Sequence, residues 1–132
     1  MTADQPHPAV SPAQVISLFA SHVTAGDVDA VMALYEPEGT YINAAGEALR
    51  GGQVREHFLR LAALHPRMRG EAERVIEAGD VALVNNRWEF SGRQPDGPPV
   101  RSRGTSTLVL RRRIDGSWGI LIDDPWGAGG AR

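Results

Sequence analysis

The stretch Asp115-Gly116-Ser117-Trp118-Gly119-Ile120-Leu121-Ile122-Asp123-Asp124-Pro125-Trp126-Gly127 decides how the chain is read. Asp115-Gly116 is a hairpin signal, and the apolar, β-prone run behind it, Trp118 to Trp126, reads as a buried strand returning from that turn. A buried strand that carries two adjacent carboxylates poses a question of function. Strict alternation puts Trp118, Ile120, Ile122, Asp124 and Trp126 on one face and Gly119, Leu121, Asp123 and Pro125 on the other. The first face is bulkier and more apolar. Asp124 is therefore expected to look inward beside aromatic rings, and Asp123 outward or toward a partner subunit. Pro125 lacks an N–H and marks where ladder pairing ends.

Working back from this strand, Val100 to Ile114 reads as its hairpin partner, preceded by a loop of Gly, Pro and polar residues over 92–99. Val81 to Ser91 is another strand, with Ala82, Val84, Asn86, Trp88 and Phe90 on one face, and Glu71 to Ala78 precedes it across the turn Ala78-Gly79-Asp80. Before Arg69 the periodicity is helical. Ser11-Pro12-Ala13-Gln14 has the form of a capping box with proline at the first helical position. The helix it opens carries Val15, Leu18, Phe19 and Val23 and stops at Ala25-Gly26. Asp27 caps a second helix with a stripe of Val28, Val31, Met32 and Tyr35, expected to end at Pro37. Residues 39–43 are short and β-prone. After a turn region over 46–52, a third helix with Val54, Phe58 and Leu61 must end before Pro66. Helices followed by an antiparallel meander give an α+β domain, with three N-terminal helices packed on a curved antiparallel sheet. Its expected span is 11–127, with a disordered tail over 1–10 and a flexible one over 128–132.

Composition narrows the chemistry. The chain has 132 residues, 42% hydrophobic and 23% charged, with a net charge of -2, which fits one folded domain and disfavours nucleic acid as a partner. There is no cysteine, and all 14 basic side chains are arginine. Thiolate nucleophiles, Schiff-base lysines and lysine bases are thereby excluded, because guanidinium stays protonated. Acid–base work falls to Asp, Glu, His or Tyr. No two histidines stand at ligand spacing, so no metal is expected, and the catalytic reading of the chain is of a cofactor-free enzyme. The opening residues lack the pattern of a signal peptide, and no apolar run approaches the roughly 20 residues of a membrane span. A cytoplasmic location is the expectation.

Two stretches resemble a known family. Ala25-Gly26-Asp27-Val28-Asp29-Ala30, leading to Leu34-Tyr35 and then Thr40-Tyr41-Ile42-Asn43 and Gly51, looks like the opening of the NTF2-like superfamily. The ending, Asp115-Gly116-Ser117-Trp118 with Ile122-Asp123-Asp124-Pro125-Trp126-Gly127, is similar to its ketosteroid-isomerase homologues of the DUF4440 or YybH-like group. The resemblance runs from about Ser11 to Gly127. It implies a cone-shaped fold around a deep apolar pocket and a homodimer formed through the outer sheet face. It does not imply one activity, since SnoaL-type cyclases, ketosteroid isomerases, epoxide hydrolases and dehydratases share the fold.

Carried over by position, the isomerase base falls on Asn43, whose amide cannot accept a proton at neutral pH. The isomerase's oxyanion tyrosine falls on Phe19, and its protonated acid near Ser106 or Thr107. Arg103 and Asp124 match two members of the epoxide-hydrolase triad, but Thr105 stands where the third would be. SnoaL-type cyclases place an aspartate toward the end of the sheet, where Asp123 and Asp124 lie.

The candidates follow from these residues. Asp124, with Asp123 as its substitute, is the expected proton carrier, since a carboxylate desolvated beside aromatic rings has a raised pKa. Both carboxylates could instead accept hydrogen bonds where the strand ends. Tyr41 and Asn43 would position a substrate oxygen. Phe19, Asn86, Trp88, Arg103 and Trp126 complete the expected binding residues. His22 and His57 read as packing residues. Arg101, Arg103, Arg111 and Arg113 share one strand face, either as a ladder paired with Glu71, Glu73 or Glu77, or as a carboxylate or phosphate clamp at the pocket mouth. Two functions stay open: acid–base catalysis on a small lipophilic carbonyl compound, or a non-catalytic small-molecule-binding or dimerisation module.

Overall fold

The computed structural model describes residues 8–127. Most of both expected tails, 1–7 and 128–132, lies outside the described residues. Of the N-terminal segment, Ala9 is 1% exposed and its carbonyl accepts the Trp118 N–H at 2.8 Å.

Helix α1 spans Pro12–Ala25. Ser11 Oγ accepts the Gln14 N–H at 3.2 Å, and Gln14 Oε1 reaches back to the Val10 N–H at 2.7 Å, one residue earlier than a standard capping box. Gly26 ends the helix at φ 69, where a side chain would be strained. Helix α2, Val28–Ala33, is capped by Asp27, whose Oδ1 accepts the Ala30 N–H at 3.1 Å. It stops four residues before Pro37. Tyr35, expected on its stripe, begins strand β1, Tyr35–Ile42, instead. Pairing overrides the helical pattern here: the Leu34 carbonyl accepts the Ile120 N–H at 2.7 Å. Pro37 sits where the pairing register of β1 shifts, and there no donor is required.

Strand β2, Ala48–Arg50, precedes α3, Gly52–Ala62. The long strands are β3 Arg67–Ala78, β4 Val81–Arg93, β5 Pro99–Arg112 and β6 Trp118–Asp124. They form one six-stranded sheet in the order β2-β1-β6-β5-β4-β3. Two expectations are corrected. The sheet is mixed, because β1 runs parallel to β6, and α3 follows two strands instead of preceding the sheet. A parallel neighbour cannot be reached by a hairpin, and here β1 and β6 lie at opposite ends of the strand order along the chain, a pairing that local pattern does not reveal. Ala82, Val84, Trp88 and Phe90 of β4 face the helices with Leu108 and Leu110 of β5, and pack on Val15, Ile16, Phe19 and Val23 of α1.

On the opposite face, Glu36 is 7% exposed and receives the Arg111 Nε–H at 2.9 Å and the Arg113 Nε–H at 2.7 Å. Arg111 also donates to Glu38, and Arg113 to the carbonyls of Ala33 and Tyr35. These two arginines therefore clamp the end of α2 and the start of β1 and do not pair with the glutamates of β3. Glu71 and Glu73 pair with Arg87, and Glu77 lies 3.7 Å from Arg112. Gly119 makes room for the clamp: a Cβ there would collide with Glu36 Oε2 and stand 2.6 Å from Arg113 Nη2.

Strand propensity alone favours Gly119→Ala by roughly 0.5–1 kcal/mol. The clamp reverses that sign, because displacing a charge-assisted hydrogen bond costs about 2 kcal/mol. A fall in the urea midpoint at unchanged m is expected; a rise would show that Glu36 does not depend on this space.

Candidate functional site

The helices and the inner face of the sheet enclose an apolar cavity of about 220 Å³. Its polar groups are few. Tyr41 of β1, His57 of α3, Asn86 of β4, Ser102 and Ser106 of β5 and Asp123 of β6 reach it among rings such as Phe19, Phe58, Trp88 and Trp126. An apolar pocket with a small set of convergent polar groups is the usual form of a small-molecule site.

Asp123, and not Asp124, faces this cavity. Leu110 pairs with Ile120 but Val109 pairs with Ile122, so β6 holds one more residue than β5 at Leu121. This β-bulge shifts the alternation by one. Trp118 and Ile120 point inward before it, and Asp123 points inward after it, 4% exposed. Ile122 is turned out. Asp124, half-buried, is the last residue of the strand, and its Oδ1 lies 3.4 Å from the Trp126 N–H of the turn that follows. It does not line the cavity.

Asp123 Oδ2 accepts the Tyr35 hydroxyl at 2.7 Å. Among the described residues no donor reaches Oδ1, the oxygen left open to the cavity. Burial raises the Asp123 pKa; the Tyr35 hydrogen bond opposes this, Asp124 adds to it, and the result is about 6. Tyr41 pairs with Asp123 across the parallel seam. Burial first, then Asp123 and Asp124, push its hydroxyl pKa up; burial and Asp123 do the same to Tyr35. Both tyrosines stay protonated; the Tyr35 proton is committed to Asp123, which leaves the Tyr41 hydroxyl as the donor for a developing anion.

The His57 ring lies against Tyr41, with centroids 4.5 Å apart. Burial, and secondarily Arg60, lower its pKa to about 4, so the imidazole is neutral at physiological pH. Among the described residues, His22 Nε2, His57 Nε2 and Asn86 Oδ1 are buried without a partner, an uncommon condition, and the latter two belong to the cavity wall. Trp88 Nε1 donates to the Pro125 carbonyl at 2.7 Å, and its ring stands 5.0 Å from that of Trp126.

The expected residues thus divide. Asp123, Tyr41, Phe19, Asn86, Trp88 and Trp126 meet at one cavity. Asn43 does not: its Oδ1 accepts the N–H groups of Ala45 and Glu47 and its Nδ2 donates to the Glu47 carboxylate, closing the turn after β1. Arg103 lies on the other face of the sheet, since Ser102 is the residue of that pair that points inward. His57 and Tyr35 were not expected. His57 gave no signal beyond its place on an apolar helix face. For the bulge there was one: Ile120-Leu121-Ile122 is three apolar residues in a row, which a regular half-buried strand does not need. Among the described residues no three His, Asp or Glu side chains could share a metal ion, and no helix is long and apolar enough to cross a membrane.

No curated protein matches the chain in sequence. Solved structures do match in fold. A conserved protein from Planctomyces limnophilus superposes with a TM-score of 0.75 at 10% identity, over 82% of this chain and 86% of that one. An NTF2-like superfamily protein from Salmonella enterica serovar Typhimurium gives 0.74 at 19%, over 91% and 89%. A ketosteroid isomerase-like protein from Erwinia carotovora atroseptica gives 0.71 at 20%, over 85% and 92%. The SnoaL-like domain family matches residues 15–118, ending at the first residue of β6, before Asp123. With most of its length matched, the chain belongs to the SnoaL-like domain family.

Proposed function

We propose that the protein is an acid–base enzyme acting on a small lipophilic carbonyl compound, with Asp123 as the proton carrier. One observation carries this reading: a carboxyl group buried in an apolar cavity, tied by one oxygen and open by the other, where burial raises its pKa to about 6. A base of that pKa at neutral pH combines the ionised form with useful proton affinity. Ionised Asp123 Oδ1 takes a proton from the carbon beside the carbonyl, and the electron pair moves to the carbonyl oxygen. Tyr41 donates a hydrogen bond to the resulting enolate in a site from which water is largely excluded. Return of the proton at another carbon is isomerisation; attack of the enolate on a second carbonyl is cyclisation. Neither outcome requires a cofactor. The role assigned by sequence to Asp124 passes to Asp123, and the substrate oxygen is positioned by Tyr41 without Asn43.

The competing reading, a binding or dimerisation module, draws on the outer sheet face. There Ile76, Leu83, Val109 and Ile122 form one row across four strands, and Ile76 and Ile122 are exposed. We assign that row to a homodimer contact, which coexists with catalysis on the inner face.

With a panel of small cyclic ketones in deuterated water, wild type is expected to catalyse exchange at the carbon beside the carbonyl. Its kcat/KM should rise with pH through about 6, the Asp123 pKa. Asp123→Asn should abolish exchange while leaving ligand affinity within a few-fold, and Tyr41→Phe should slow it by about 10²–10³. Asp124→Asn should stay within a few-fold of wild type. Exchange that survives in Asp123→Asn would sink the catalytic reading and leave the binding module.

Stability offers an independent check. Because the folded pKa of Asp123 is raised from 3.8 to about 6, the folded state holds this proton more tightly than the unfolded one. Stability therefore falls as pH rises from 4 to 6, by about 2–3 kcal/mol at about 1.4 kcal/mol per unit. Asp123→Asn is expected to be more stable than wild type at pH 8, and the difference should vanish at pH 3.5. A constant difference across this window would mean that Asp123 is not held in a dry site.

A further inference from the structure

On the face of the sheet away from the cavity, the register aligns arginines in two adjacent rows. Arg67 of β3, Ser91 of β4 and Arg101 of β5 form one; Arg69, Glu89 and Arg103 form the next. All four arginines are exposed and border one surface depression with Ser91 and Glu89. At about 4.8 Å between strands and about 6.7 Å between alternate residues, their Cα atoms mark a rectangle of about 10 by 7 Å. Among the described residues, no hydrogen bond or ion pair engages any of the four guanidinium groups. The other arginines of this face behave differently. Arg87 is held by Glu71 and Glu73, and Arg111 by Glu36 and Glu38.

Four like charges in so small an area repel one another, and the single Glu89 leaves three of them uncompensated. The chain as a whole carries a net charge of -2, so this is a local concentration and not a general basic surface. We infer that this corner of the sheet is a binding site for the diphosphate group of a small molecule. Guanidinium groups bind phosphate oxygens through paired N–H donors, and a diphosphate with about three negative charges matches the surplus. The Ser91 row, which has no carboxylate, would hold the anion most directly, with the Ser91 hydroxyl as an added donor. Glu89 opposes binding in the second row. The acidic pair Glu71 and Glu73, closed on Arg87, borders the patch on its inner side. That border limits the footprint to a single diphosphate and disfavours the long run of phosphates in a polynucleotide. The site is distinct from the cavity, since none of the four arginines lines the cavity and Met68, between Arg67 and Arg69, lines the cavity and not the depression.

Calorimetric titration with inorganic pyrophosphate at low ionic strength, without divalent cations, tests the site, with ADP as the organic diphosphate. Wild type should bind pyrophosphate at least tenfold more tightly than inorganic phosphate, and increasingly weakly with added salt. Arg67→Gln and Arg101→Gln should each weaken it by at least fivefold. Glu89→Gln should tighten it at least threefold, a gain that a merely structural role would not produce. Arg87→Gln, on the same face but already paired, should change it less than twofold. ADP binding with the same response to the variants assigns the diphosphate as the recognised group; ADP binding that ignores them overturns the assignment. Equal affinity for phosphate and pyrophosphate would also overturn the proposal. So would a salt-sensitive dimer, lost in Arg67→Gln, that binds no pyrophosphate, since the arginines would then be meeting Glu71 and Glu73 of a second copy.

Discussion

The hydrogen bond from the Tyr35 hydroxyl to Asp123 Oδ2 joins the first strand of the sheet to the last in the dry interior. Much of the rest hangs on it. It spans the parallel seam between β1 and β6, along which Tyr41, six residues further on β1, reaches the same cavity. It leaves one carboxylate oxygen of Asp123 committed to the protein and the other open to the cavity. It also moderates the desolvation of that carboxyl group, whose pKa would rise further without a donor.

The two faces of the sheet perform separate tasks through the same seam. Tyr35 and Glu36 are consecutive, and a strand sends consecutive side chains to opposite sides. Tyr35 goes inward to Asp123, whereas Glu36 goes outward to Arg111 and Arg113. A buried ion pair is weak evidence of net stability, because desolvation offsets much of the attraction. Its value here is geometric: the planar guanidinium groups fix where β1 begins, and that start determines which residues reach the cavity. The arginines of β5 thereby divide. Those near its end are consumed by this clamp, and those near its beginning have no hydrogen-bond or ion-pair partner among the described residues.

How far the sequence could be read varied by element, for physical reasons. The caps Ser11 and Asp27, the Gly26 stop and the alternation of β4 were legible because each depends on neighbours a few residues away. The end of α2 was not: Tyr35 continues a helical stripe perfectly well, and only pairing with β6 turns it into a strand. Asn43 was misread because an amide in a turn and an amide in a pocket have the same local sequence. Asp123 and Asp124 were exchanged because a bulge is settled by the partner strand. Strict alternation gives the right face for Trp118 and Ile120 and the wrong one for Ile122, Asp123 and Asp124.

Composition and local pattern by themselves determined an α+β domain without thiol or lysine chemistry, a last strand rich in apolar residues, and a carboxylate at its end as the candidate for proton transfer. These depend on side-chain type and on periodicities of two and 3.6 residues, which short stretches carry in full. Tertiary structure alone decided which carboxylate enters the cavity, that Tyr35, Tyr41 and His57 accompany it, and that Arg67 and Arg69 join Arg101 and Arg103 on the far face. Those facts depend on register between strands distant in the chain, and for the two carboxylates a single inserted residue at Leu121 is enough to exchange their faces.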